Sequence, residues 1–362
     1  GRNMKRNLLM VLGPTEIEKD VLKAGALPQV YMRTADYSNY LKEIFEDLQY
    51  VFQTKNPVVF FASSGTGAME AAVTNVLSKN DTALYINGGS FGKRWGDICR
   101  KHDVNTIEIS VEFGNSVNPE RVREELNKNS EIKAVFATLD ETSSGALTDI
   151  KAIGEIVKDY PNTILVVDCV SGLIVEPMQM DDWNVDVAVS SSQKALAIPP
   201  GLGFMAISEK AIKHAENADL RTVYFDIFDH LSNRKRNQTP FTPAVSLIEQ
   251  LKIRLHKIRK AGLEKIRSDY REKTEIIRNE LKKLGFNTFA KNPANCVTGV
   301  MTEDLDASEI VRIMREKHHV EIAPSGGDLK TKFFRVGNFG AIGKKEIKVF
   351  VNALKQTLKE LK

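Results

Sequence analysis

Cysteine and tryptophan are scarce in this 362-residue chain, with three and two copies. Cys99, Cys169 and Cys296 stand far apart, are odd in number and match no zinc spacing. That pattern excludes a disulfide framework and fits reduced thiols. Long apolar runs are missing as well. Stretches such as residues 57–62 and 164–167 fall far short of the ~20 residues that span a bilayer, so no membrane partner is expected. Charge of one sign is not in excess: 51 Lys and Arg against 47 Asp and Glu leave +4. On a chain of this length that is too weak to argue for nucleic acid. Among six histidines, His318 and His319 are adjacent, but neighbours on a helix point in different directions, so no metal site is expected. The chain opens without a charged-then-apolar leader, and the expected location is the cytoplasm. Gly1, Arg2 and Asn3, ahead of Met4, read as an expression remnant.

What is present is ordinary soluble-protein composition, 42% hydrophobic and 27% charged, on a chain long enough for two domains. Apolar β-type runs at 58–61, 83–86, 106–109, 134–137, 164–167, 185–189 and 203–207 read as strands. Helical patterns at 69–77, 119–126 and 150–158 lie between several of them. Continuous apolar strands separated by helices predict an α/β fold with a mostly parallel central sheet covered on both faces. From about 246 to 283 the spacing predicts a long helix, rich in Lys and Arg on a solvated face. A smaller C-terminal α+β region follows, with strands near 297–301 and 333–336 and helices at 307–316 and 344–361. The expected division is an N-terminal arm at 1–16, a large domain at 17–260 and a small domain at 261–362.

Ligands of such sheets collect beyond the carboxyl ends of the strands, and four groups of residues fall there or nearby. Ser63-Ser64-Gly65-Thr66-Gly67 joins a strand to a helix, so free N–H groups and two hydroxyls suit a phosphate; a plain turn is the alternative. The later positions, Met69 and Glu70, break the G-x-G-x-x-G spacing of a dinucleotide site. Asp168 ends an all-apolar strand and needs a partner there. A protonated pyridine nitrogen is one candidate, a backbone-satisfied strand end another. Lys194, after Ser190-Ser191-Ser192-Gln193, sits where desolvation lowers a lysine pKa and favours the nucleophilic amine; the alternative is a surface lysine after a serine-rich turn. Arg335, within Phe333-Phe334-Arg335-Val336-Gly337, suits a carboxylate bidentately or a structural ion pair. A lysine and a carboxylate at neighbouring strand ends beside an anion loop is the set a pyridoxal-phosphate enzyme needs.

In these stretches the chain resembles a class V aminotransferase of the fold-type-I pyridoxal-phosphate enzymes, and within them the alanine–glyoxylate / serine–pyruvate aminotransferase group. The resemblance rests on Leu12-Gly13-Pro14-Thr15, residues 49–57 and 63–75, Glu141-Thr142-Ser143-Ser144-Gly145, residues 167–170, Ser192-Gln193-Lys194-Ala195-Leu196 before Pro199-Pro200-Gly201, and Phe334-Arg335-Val336-Gly337. It implies that pyridoxal 5'-phosphate is held as a Schiff base by Lys194, with Asp168 on the ring nitrogen, Val170 against the ring and Phe91 stacked on it where relatives often carry tryptophan. It further implies Ser64, Gly65, Thr66 and Gln193 at the phosphate, Thr142 at the ring hydroxyl and Arg335 at the substrate carboxylate. Thr239 resembles a residue that reaches the phosphate from a partner subunit, which implies a homodimer with active sites at the interface.

Three positions depart from the pattern: Leu139 and Thr66 stand where relatives carry histidine, and Arg236 where some carry tyrosine. They bear on substrate identity. The activity implied is amino transfer from a small amino acid of the alanine or serine type to glyoxylate or pyruvate. 2-Aminoethylphosphonate–pyruvate transamination and a non-catalytic cofactor-binding regulator are the alternatives. Cysteine desulfuration is disfavoured, because the loop 324–332 carries no cysteine.

Overall fold

The computed structural model describes residue 4 and residues 6–361; the expression remnant read at residues 1–3 lies outside the described residues. The strands in chain order are β1 (Leu8–Met10), β2 (Val58–Ala62), β3 (Thr82–Asn87), β4 (Asn105–Ser110), β5 (Ile132–Thr138), β6 (Asp140–Glu141), β7 (Ala146–Leu147), β8 (Ile164–Asp168), β9 (Val187–Ser191), β10 (Leu202–Ile207), β11 (Val297–Met301), β12 (Val320–Pro324) and β13 (Phe333–Gly337). Seven of them form the central sheet in the order β2-β10-β9-β8-β5-β3-β4. All pairings are parallel except those of β10, which runs antiparallel to β2 and β9. The expected mostly parallel α/β sheet is what the chain builds.

Period-2 geometry explains why both faces are covered. Val58, Phe60, Leu84, Val135, Leu165 and Ala188 enter one apolar core. Their neighbours Val59, Phe61, Ala83, Ala134, Val166 and Val187 enter the other. Successive strand residues point to opposite faces, so a continuous apolar run is stable only between two helical layers.

β1, β12, β13 and β11 form a second sheet. β1 pairs in parallel with β12, so the start of the chain is built into the C-terminal sheet. A third core of Met10, Ile277, Leu281, Val300, Phe334 and Phe350 backs it. β1 and β12 are short and were absent from the sequence reading, as was the helix Ala35–Phe52.

Two further differences have physical reasons. The long helix expected from about 246 to 283 is two helices, Val245–Ala261 and Leu263–Lys283, meeting at Gly262 with φ +83° and ψ 143°. The apolar spacing runs nearly straight through this break and hides it. β9 ends at Ser191 rather than at 189: Ser190 and Ser192 are buried and turn their hydroxyls to the carbonyls of Cys169 (3.4 Å) and Pro199 (2.8 Å). The serine run belongs to the buried strand and its exit.

Candidate active site

The carboxyl ends of β2, β3, β5, β8 and β9 lie along one edge of the parallel sheet, and their loops carry the site. After β2, Ser64 caps the helix Gly65–Val76 by accepting the Gly67 N–H at 3.2 Å. The N–H groups of a first helical turn have no intrahelical acceptor, so they can take an anion. Gly65 is required by close packing: a Cβ there would lie 2.9 Å from Val170 Cγ2 and 3.3 Å from Ser191 Cβ. This contact brings the β2 turn against the ends of β8 and β9. Ser64 and Thr66 leave their side chains exposed above it.

After β3, the helix Ser90–Lys101 carries Phe91 in its first turn. Arg94, one turn on, lies 4.9 Å over the Phe91 ring and donates to Thr66 Oγ1 at 3.1 Å. The aromatic ring and the serine–glycine turn are thereby tied together. Arg94 was missed from sequence, where it reads as an ordinary surface residue of a helix.

Asp168 closes β8 with its side chain buried. Oδ1 accepts the Val170 N–H at 2.8 Å. Burial pushes its carboxyl up to about 6, with the Val170 bond opposing the rise. A second oxygen, Oδ2, is left for a cationic partner. Lys194 follows β9 by three residues and is half-buried, but its ammonium turns inward and donates to the Leu12 carbonyl. Desolvation lowers its pKa, opposed by the charges of Cys296, Asp140 and Asp168. Its Nζ also lies 5.8 Å from the Phe339 ring centre. A surface lysine after a turn is thereby ruled out.

Residues far away in sequence complete this surrounding. At Gly13 (φ +111°) a Cβ would fall 2.9 Å from the Gln193 carbonyl oxygen and 3.1 Å from Lys194 Cδ, so only glycine lets the N-terminal segment lie on the lysine. Cys296 donates its thiol to Asp140 Oδ2 at 2.7 Å, and both are buried. Asp140 Oδ1 is buried with no partner among the described residues. Desolvation pushes the Asp140 carboxyl up to about 7 and the Cys296 thiol well above its ordinary value.

Arg335, in the middle of β13, reaches from the small sheet to the turn between β6 and β7. It donates to the Thr142 carbonyl at 3.1 Å and to the Pro324 carbonyl at 2.6 Å, while Nε is buried without a partner among the described residues. Carbonyls satisfy but do not neutralise a guanidinium, so its charge remains available to an anion. Thr142 is buried beside it. Thr239 stands apart from this group: its hydroxyl donates to the Phe241 carbonyl at 2.7 Å, and its carbonyl accepts from Arg33 at 2.5 Å.

An inward lysine, a buried carboxylate, an anion-binding helix start and an arginine with free charge thus converge at one sheet edge. The family described as Aminotransferase class-V matches residues 19–328. The chain belongs to the class-V aminotransferases. An uncharacterised aminotransferase of Methanocaldococcus jannaschii is 36% identical, covering 98% of this chain and 94% of that protein. A serine–glyoxylate aminotransferase of Methylorubrum extorquens is 31% identical over 98% of this chain and 94% of that one. Among solved structures, an alanine–glyoxylate aminotransferase from Nostoc sp. superposes with a TM-score of 0.93 at 27% identity, covering 99% of this chain and 96% of that chain.

Class-V aminotransferases depend on pyridoxal 5'-phosphate, and the residues present fit that group. Ser191 Oγ and Gln193 Oε1 are buried polar atoms without partners among the described residues, and Ser191 lies against Gly65 at the helix start that suits an anion. Asp168, in an apolar strand end, calls for a cation such as a protonated ring nitrogen. These groups suit an anion at one end and a nitrogen cation at the other.

Proposed function

We propose that this aminotransferase moves the amino group of a small amino acid, alanine or serine, to glyoxylate or pyruvate. The observation that carries the reading is the inward ammonium of Lys194 beside buried Asp168, with Arg335 reaching the same edge from the second sheet. The named substrates of the serine–glyoxylate and alanine–glyoxylate relatives support the choice of donor and acceptor.

The bound cofactor supplies an electron sink for the carbanion that forms when the donor loses its Cα proton. In this reading Lys194 would hold the cofactor at rest and, freed as a neutral amine, would take up and return the Cα proton of the donor. Burial favours that neutral form. Asp168 would pair with the ring nitrogen. Gly65 with Ser64, Thr66 and Gln193 would hold the phosphate, Phe91 would stack on the ring with Val170 against it, and Thr142 would meet its hydroxyl. Arg335 orients the donor through its α-carboxylate, which positions the Cα proton toward Lys194. General acid–base work of this kind contributes roughly 10²–10⁴-fold.

The proposal includes a cytoplasmic homodimer in which Thr239 reaches the partner's phosphate site. Exposed Leu27, Val30 and Tyr31, close in sequence to the Arg33 that binds the Thr239 carbonyl, offer an apolar face for a second copy. Desulfuration is disfavoured further because Cys99, Cys169 and Cys296 are all buried.

The test is Lys194→Ala together with a donor–acceptor matrix. The variant is expected to lose both the visible absorbance of bound cofactor and transamination; full turnover in it would falsify the assignment. Alanine or serine with glyoxylate or pyruvate should give the fastest rates. Faster turnover of 2-aminoethylphosphonate with pyruvate would replace this reading by its alternative. Salt-sensitive DNA binding without transamination would point instead to a regulator.

A further inference from the structure

We propose that Glu141 is a positioning residue: its carboxylate locks the start of the helix that carries Phe91 and so sets the ring against the cofactor. The proposal rests on the reading of Phe91 as the stacking residue.

Glu141 belongs to β6 and is buried. Its Oε1 accepts the Phe91 N–H at 3.2 Å, and Oε2 accepts the Gly92 N–H at 2.8 Å. Ser143 adds its own N–H at 3.3 Å and its hydroxyl at 2.6 Å, both to Oε1. The helix Ser90–Lys101 needs this help, because its N-cap, Gly89, has no side chain to cap with. A carboxylate at a helix start satisfies free N–H groups and meets the positive end of the helix dipole. Here it comes from about fifty residues downstream, so it also fixes the helix relative to the β5–β8 end of the sheet.

The fit leaves little freedom. A Cβ at Gly89 would lie 2.1 Å from Ser143 Oγ and 2.8 Å from Glu141 Cδ, and one at Gly92 would lie 2.4 Å from the Ile86 carbonyl oxygen. Gly89 is therefore a condition of the carboxylate's approach, and Gly92 lets the helix pack on the end of β3. Phe91 is thus held at both ends, its backbone N–H by Glu141 and its ring by Arg94, 4.9 Å away. The next residue, Thr142, gives its carbonyl to Arg335. One short loop thus references both the ring-stacking side chain and the carboxylate-binding arginine to the same sheet end.

The test is a double-mutant cycle on the holoenzyme with Glu141→Ala, Phe91→Ala and the pair, reading cofactor dissociation constant and visible circular dichroism. Glu141→Ala is expected to weaken cofactor binding about tenfold, equivalent to ~1.4 kcal/mol, and to reduce the dichroic band. In the Phe91→Ala background the same change should add little further loss. Glu141→Gln, which keeps one acceptor oxygen, should fall between parent and alanine variant. Independent, additive losses, or an unchanged cofactor constant and band in Glu141→Ala, would overturn the proposal. If Glu141→Ala fails to fold by far-ultraviolet dichroism, Ser143→Ala, which removes the hydroxyl orienting Oε1, is measured by the same two readouts and the same criteria. Lys194→Ala is the separate control: retention of visible absorbance there would sink the assigned chemistry, whereas the Glu141 cycle reports on positioning alone.

Discussion

At the residue scale, burial moves Asp140 and Lys194 in opposite directions, each toward its neutral form. The sign of the consequence follows from proton linkage. A carboxyl that titrates near 7 folded and near 3.8 unfolded binds its proton more tightly in the folded state, so stability is lost as pH rises through that interval. The full displacement corresponds to roughly 4 kcal/mol. Asp140→Asn removes the ionisation while leaving an oxygen to accept the Cys296 thiol. Denaturant unfolding of the cofactor-free protein at about pH 4 and about pH 8 should show a smaller loss across the interval in the variant than in the parent. Equal losses would mean that Asp140 ionises at no cost and is not sealed from water. Asp168, also raised by burial, is present in both proteins, and Glu176, whose charge helps to raise Asp140, is relieved by the same substitution, which acts in the same direction.

At the scale of elements, the junction between Val245–Ala261 and Leu263–Lys283 is the sharpest case of local sequence hiding local structure. Tyr270 packs with the large-sheet core, while Ile277 and Leu281 pack with the small-sheet core. The second helix therefore runs from the large-sheet core to the small-sheet core, and Gly262 supplies the non-helical backbone between the two helices. A Cβ at Gly262 would meet nothing within 4 Å, yet φ is +83°. Gly262→Ala should cost about 1–3 kcal/mol through backbone strain alone, measured as a lower unfolding midpoint with an unchanged cofactor spectrum. A variant as stable as the parent would show that the junction relaxes. Strand elements were easier to read. Residues 58–61, 83–86 and 134–137 are apolar on both faces because helices cover both, and that demand is written in the run itself. β1 and β12 were not legible: three apolar residues and five of mixed character become strands only by pairing, β1 with β12 and β12 also with β13.

For the whole molecule, the exposed Leu27, Val30 and Tyr31 predict a second copy over that face. Sedimentation velocity should give a dimer. Introducing charge with Leu27→Glu and Tyr31→Glu together should shift it toward monomer and weaken cofactor retention, because Thr239 would no longer reach its neighbour's site. A variant that becomes monomeric with cofactor affinity intact would show that each chain completes its own site, and a parent that sediments as monomer would remove the dimer altogether.

Sequence by itself determined the parallel α/β sheet and the positions of Lys194 and Asp168 at strand ends. An apolar run that stops at a charged residue, and a glycine-serine turn that opens a helix, are local patterns with local causes. Tertiary structure decided the rest of the site. It laid Leu12 and Gly13 on Lys194, joined Cys296 to Asp140, set Glu141 under the Phe91 helix and brought Arg335 from β13 to Thr142. Each of these contacts closes a loop of tens to hundreds of residues. Their geometry is fixed by how the two sheets and their helical layers pack, a property that no spacing along the chain encodes.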